Sequence, residues 1–238
     1  MKFSTLLLIV LSFIGFSFTS NLSSEVDSCD SYFPLKEGLV WKTESFDKKG
    51  KSTGTNQMTV LGVSYIDDAM NYTIESEYQV TNKDEVQKTE LTYVCKNGVL
   101  TLDFDDLMKN FGGLEESSPD MEVKITGAGM EIPANLATGD ILAETNIGMN
   151  AFMNGMKIMG GSVRVYERKV EAMENVTTAA GTFECAKITS KTYINMGFVK
   201  STTSSIEWIS KKAGMVKSEQ YDKKGKFAGH TELVEYKN

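Results

Sequence analysis

A single histidine, His230, occurs among the 238 residues, and the three cysteines, Cys29, Cys95 and Cys185, form no Cys-x-x-Cys pair. A histidine-based triad or a zinc site would have to pass through His230. That residue follows Gly229 just beyond a turn and reads as a strand residue, so no metal site is expected. Only three prolines are present, none inside a strong strand pattern, which leaves a sheet free of missing donors. Positive charge is scarce too: 25 Lys and Arg stand against 32 Asp and Glu, for a net charge of −7 and a pI near 5.0. Nucleic acid needs a basic surface for its phosphates and is excluded as a partner. The lysine pairs at 48–49, 211–212 and 223–224 read as isolated, solvated turns. Long apolar runs are lacking as well. Residues 6–18 are too short to span a bilayer; behind Lys2 and ahead of small residues they read as a signal peptide, residues 1–20. No cysteine follows that run directly, so no N-terminal lipid anchor is expected, and the mature chain carries no transmembrane helix. The Gly-x-Ser-x-Gly motif, a phosphate-cradling glycine loop and the EF-hand pattern are all missing. Catalytic, cofactor-binding and metal-binding residues are therefore expected to be none.

What the sequence does hold is a repeat. Residues 46–54 read Phe-Asp-Lys-Lys-Gly-Lys-Ser-Thr-Gly, and residues 221–229 read Tyr-Asp-Lys-Lys-Gly-Lys-Phe-Ala-Gly. Asp at the first turn position caps its own backbone, and Gly at the fourth takes the left-handed conformation. Each copy therefore predicts a hairpin with a type I turn and a glycine bulge, with Gly50 and Gly225 at positive φ. Between the copies, Tyr72, Ile74, Ser76, Tyr78 and Val80 alternate with polar residues, and Leu91, Tyr93 and Cys95 share one face. Asn97-Gly98 marks a tight hairpin. Residues 103–111 are the one expected helix, started by Asp103 or Asp105 and stopped by Gly112-Gly113. Residues 127–161, rich in glycine and methionine, predict irregular strands and loops. Further strands are expected at 162–171, 182–194 and 197–209. About ten to twelve strands with regular turn signals give the fold class: all-β, a single large antiparallel β-sandwich or open barrel with one short helix. After the signal peptide, a lead-in segment (21–37) precedes one β-domain (38–238) with similar hairpins at its two ends.

Several stretches resemble TapB-like proteins, exported bacterial envelope proteins related to a widespread domain of unknown function. They are residues 33–54, Glu131-Ile132-Pro133 with Gly139-Asp140, Arg168-Lys169-Val170-Glu171, and residues 177–185. The last reads Thr-Thr-Ala-Ala-Gly-Thr-Phe-Glu-Cys, with Ala179 where the family usually has proline. The resemblance implies a β-rich single domain in the envelope and offers no catalytic residues to carry over.

The function expected is that of a non-catalytic, exported domain, periplasmic or secreted, binding an envelope protein or an apolar small molecule, without a cofactor. Two alternatives stand beside it. One is a carrier of a lipid or other apolar ligand, with Met149, Met153 and Met156 lining the site, because methionine adapts to varied shapes. The other is a hydrolase using carboxylates, for which Asp103, Asp105, Asp106, Glu115 and Glu116 form the densest cluster; helix capping and a solvated face also account for them. Cys95 and Cys185 both lie on inward faces, which makes them the candidate disulfide or, equally, two buried free thiols.

Overall fold

The computed structural model describes residues 32, 36–102, 121–127, 129–197 and 199–237. Over them the chain forms thirteen strands: β1 (Val40–Asp47), β2 (Ser52–Ile66), β3 (Ala69–Val80), β4 (Val86–Lys96), β5 (Val99–Leu102), β6 (Met121–Gly127), β7 (Glu131–Pro133), β8 (Thr145–Met153), β9 (Met156–Thr178), β10 (Gly181–Met196), β11 (Val199–Ser210), β12 (Gly214–Tyr221) and β13 (Phe227–Lys237). They join in one open sheet, in the order β6-β8-β9-β10-β11-β12-β13-β1-β2-β3-β4-β5-β7. All pairings are antiparallel. The all-β class expected from the alternation is the one formed. It takes the form of a single open antiparallel sheet, because every hairpin extends the same ladder. The expected helix at 103–111 lies outside the described residues, as do the signal peptide and the acidic cluster. No helix among the described residues is long and apolar enough to cross a membrane.

The repeated hairpins, β1–β2 and β12–β13, lie side by side at the centre, since β13 pairs with β1. Phe46 stands opposite His230 and Asp47 opposite Gly229. Their turns are alike bond for bond. Asp47 Oδ1 accepts from the backbone N–H of Lys49 (2.8 Å) and Lys51 (3.0 Å); Asp222 Oδ1 accepts from Lys224 (2.8 Å) and Lys226 (3.0 Å). Gly50 and Gly225 have φ of +77° and +71°, the left-handed values the Asp-x-x-Gly pattern requires. These backbone donors are the main reason both aspartate carboxyls sit below their ordinary pKa.

Residues 127–161 are more regular than their sequence suggests. β8 and β9 form a ladder with one register shift, between Ala151 and Phe152, closed by Asn154-Gly155, both at positive φ, with Met153 opposite Met156. The glycines that blur the alternation fill tight places: a Cβ on Gly148 would stand 2.6 Å from Thr126 Oγ1, and one on Gly161 would strike Met196.

Trp41, Val60, Ile74, Leu91, Cys95, Leu100, Cys185, Trp208, Val216 and Leu233 belong to one apolar cluster. A second gathers Tyr32, Ile132, Leu136, Leu142, Val170, Ala186, Ile188 and Ile209. Both inward cysteines are buried as expected, but they do not pair. Cys185 is a free thiol, pushed up to about 11 by burial, whereas Cys95 is disulfide-bonded. They stand on β10 and β4, with β11, β12, β13, β1, β2 and β3 between them in the sheet. Pointing inward does not bring two sulfurs within bonding distance. Cys29 lies outside the described residues.

Candidate functional site

A cleft of about 180 Å³ opens where β1, β2, β4 and β5 face β11 and β12. Period-two side-chain alternation builds its walls, since directly opposed residues of neighbouring strands project to the same side. Trp41 opposes Met58 and Thr43 opposes Asn56. Tyr93 opposes Leu102, Leu100 opposes Ile132, and Ile209 opposes Met215. Met130 completes the apolar lining, and Glu207 enters it from β11.

Most polar groups of the cleft are already engaged. Asn56 Oδ1 accepts from Ser76 Oγ (2.9 Å), and burial pushes the Tyr93 phenol up to about 12. Glu207 is different. Its carboxylate makes no hydrogen bond or ion pair with a described residue. Burial raises its pKa above the ordinary value, and the charge of Arg168 opposes that rise. Arg168 is 2% exposed. Its guanidinium donates to the carbonyl of Ala143 from Nη1 (2.8 Å) and to that of Glu131 from Nη2 (3.1 Å). This pins the segment between β7 and β8 against β9. Burial lowers the Arg168 pKa, and Glu207 is the largest influence in the other direction. The cleft thus presents a desolvated acceptor to whatever enters, with a buried cation behind it. An unpartnered carboxylate in such a place costs free energy that a donor on a ligand would recover.

The titration of Glu207 can be read through stability. With its folded pKa raised, the native chain holds more protons than the unfolded one between about pH 4.3 and the folded value. Stability therefore falls as pH rises through that window. Glu207→Gln is expected to remove the fall, so that variant and wild type melt alike near pH 4 and diverge, the variant higher, towards pH 7. Parallel melting profiles would show that Glu207 does not titrate abnormally.

Met149, Met153 and Met156 lie elsewhere. Met149 opposes Gly161 on β8–β9, and Met153 and Met156 flank the hairpin turn at 39% and 71% exposure. The structure brings these three together on one hairpin, but not to this cleft, whose methionines are Met58, Met130 and Met215. His230 stacks on Phe46, ring centroids 4.8 Å apart. Glu207 escaped the sequence reading because Ile206 and Trp208 make the opposite parity of β11 look like the core side. Its own signal was faint: the charge shares its parity with Ser205 and Ile209.

The family profile described as DUF3108-like matches residues 36–233. No curated protein matches the chain. Among solved structures, a protein from Bacteroides fragilis, described as inferred to be exported and as having a YmcC-like fold, aligns with a TM-score of 0.67 at 20% identity. The alignment covers 87% of this chain and 99% of that one. A protein from Parabacteroides distasonis, inferred to be a lipoprotein, aligns with a TM-score of 0.66 at 23% identity over the same shares. At these identities the likeness speaks for fold.

Proposed function

Since the chain belongs to the DUF3108-like family, we propose that it is a TapB-like exported domain of the bacterial cell envelope that holds a small, mostly apolar ligand beside Glu207. The observation that carries this reading is the one carboxylate among the described residues of a mostly apolar cleft. Export is supported by the leader-like N-terminus and by the descriptions of the two structural relatives. An ionised carboxylate only accepts hydrogen bonds, so the matching ligand carries an ammonium, N–H or O–H group at one end of a hydrocarbon body. Size narrows the choice further. An engineered cavity of about 150 Å³ holds benzene, and sites for larger ligands start near 300 Å³. A cleft of about 180 Å³ suits a short chain or a single ring better than a full acyl chain. A fatty acid would also set a second carboxylate beside the first. Binding is favoured over turnover because Glu207 is the only carboxylate among the described lining residues, while glycoside hydrolysis employs two.

Trp41 lines the cleft, so its fluorescence reports occupancy. Hexylamine, hexanol and hexanoate can be titrated against the protein, with calorimetry as an independent readout. Binding is expected to weaken in that order, and Glu207→Leu is expected to abolish the preference for the amine. If none of the three saturates, or if Glu207→Leu leaves the order unchanged, the proposal fails.

A further inference from the structure

The two Asp-Lys-Lys-Gly-Lys turns are far apart in the sequence, and the sheet makes them neighbours. Lys48, Lys49 and Lys51 sit on one, and Lys223, Lys224 and Lys226 on the other, all exposed. Antiparallel pairing of β1 with β13 puts both turns at the same end of the sheet. Strands spaced by about 4.8 Å hold the two hairpins within roughly one Debye length at physiological salt, so their charges act together. None of the six lysines has an ion-pair partner among the described residues. The two carboxylates within the turns, Asp47 and Asp222, are held by backbone N–H groups. A chain of net charge −7 thus places six of its 25 Lys and Arg residues together at one end of the sheet.

We infer that these paired turns form a docking surface for an anionic lipid bilayer. The placement favours a plane over a polymer: the charges stand on two neighbouring turn tips, not in a row along a groove that tracks a nucleic-acid strand. The rings beneath the tips are also spent on each other. Phe46 stacks on His230 at 13°, Phe227 lies 28° from His230, and Tyr221 meets Phe227 edge-on, so these rings pack chiefly on one another, with Phe227 38% exposed. The charges are lysines, mobile point charges that suit phosphate headgroups without demanding a fixed bidentate geometry. Clusters of this size next to anionic leaflets bind by summed electrostatic attraction. The inference is independent of what fills the cleft beside Glu207.

The test is cosedimentation of the chain, as processed and exported by a bacterial host, with vesicles of phosphatidylcholine alone or with about 30 mol % phosphatidylglycerol. Binding is expected to the anionic vesicles only, and to fall at least about tenfold between 0.05 M and 0.5 M salt. Replacing the three lysines of either turn by Gln should weaken binding several-fold, and replacing all six should abolish it. The six-fold Lys→Arg variant should bind like wild type. These positions are exposed, and an unchanged melting temperature will show that each variant is folded. Failure of wild type to bind anionic vesicles, equal binding to neutral ones, or undiminished binding by the six-fold Gln variant would overturn the inference. Binding to soluble polyphosphate but not to vesicles would overturn it in favour of a soluble polyanion.

Discussion

Arg168→Met is expected to destabilise the protein by about 3–5 kcal/mol, the range seen when one partner of a buried charged arrangement is removed. Two losses combine. The carbonyls of Ala143 and Glu131 lose the donors that satisfy them, at about 1–3 kcal/mol for each group left buried and unpaired. Glu207 also loses the cation that opposes its burial. Methionine keeps much of the volume, so a cavity contributes little. Arg168→Lys should recover only part of the loss, because an ammonium keeps the charge without the fork that reaches both carbonyls. The Glu207 share can be isolated by repeating Arg168→Met in the Glu207→Gln background, where the cost should be smaller. Urea unfolding of wild type, the three single variants and the double variant measures these costs. A loss below about 1 kcal/mol for Arg168→Met would mean that water takes over both carbonyls.

Gly229→Ala is the second large effect, and it separates two uses of glycine within one repeat. Gly225 needs a positive φ in open space; Gly229, four residues on, needs the absence of a side chain. A Cβ on Gly229 would run into the carbonyl oxygen of Phe46 on β1, and that oxygen is backbone and cannot swing away. The central β13–β1 ladder must shift instead, at about 2–3 kcal/mol, in the range of overpacking. Gly225→Ala, with nothing within 4 Å of the new methyl, should cost only about 1 kcal/mol of left-handed strain. Gly54, the matching glycine of the first copy, lies between these extremes. Its Cβ would stand 2.8 Å from the carbonyl of Gln79 and 2.9 Å from the Tyr78 hydroxyl, and the tyrosine can move. Thermal unfolding of the three variants should rank Gly229, Gly54, Gly225. An equal effect at Gly225 and Gly229 would refute the close-approach argument.

What the sequence made legible was local. Asp-x-x-Gly specifies its turn within four residues, and both copies formed with the expected bonds. The alternation from Tyr72 to Val80 gave β3 because each side chain records its own face. Long-range facts left no such mark. That the two repeats are neighbours depends on β13 pairing with β1, about 190 residues away in the chain. The choice between one sheet and two depends on how every hairpin joins the next. The disulfide expectation failed for the same reason: inward orientation is written locally, and distance is not. At 127–161 the hydrophobic pattern was hidden by glycines placed for close packing, and Met149, Met153 and Met156 stand on a hairpin away from the Glu207 cleft. That one carboxylate becomes conspicuous only when Trp41, Met58, Leu100 and Met215 are seen around it.

The pairing of β1 with β13 also governs the order of assembly. Val40 bonds across to Lys237, so the central ladder is a contact between the first and last strands and closes nearly the whole chain into one loop. Until β13 is placed, β1–β5 with β7 on one side and β6 with β8–β12 on the other are two partial sheets, each with an unsatisfied edge. Contacts of such sequence separation make folding slow, on the scale of milliseconds to seconds. A chain in that interval carries two open ladder edges at its centre, on β1 and β12. The final strand fills the gap between those edges and acts as the latch that makes two sheets one.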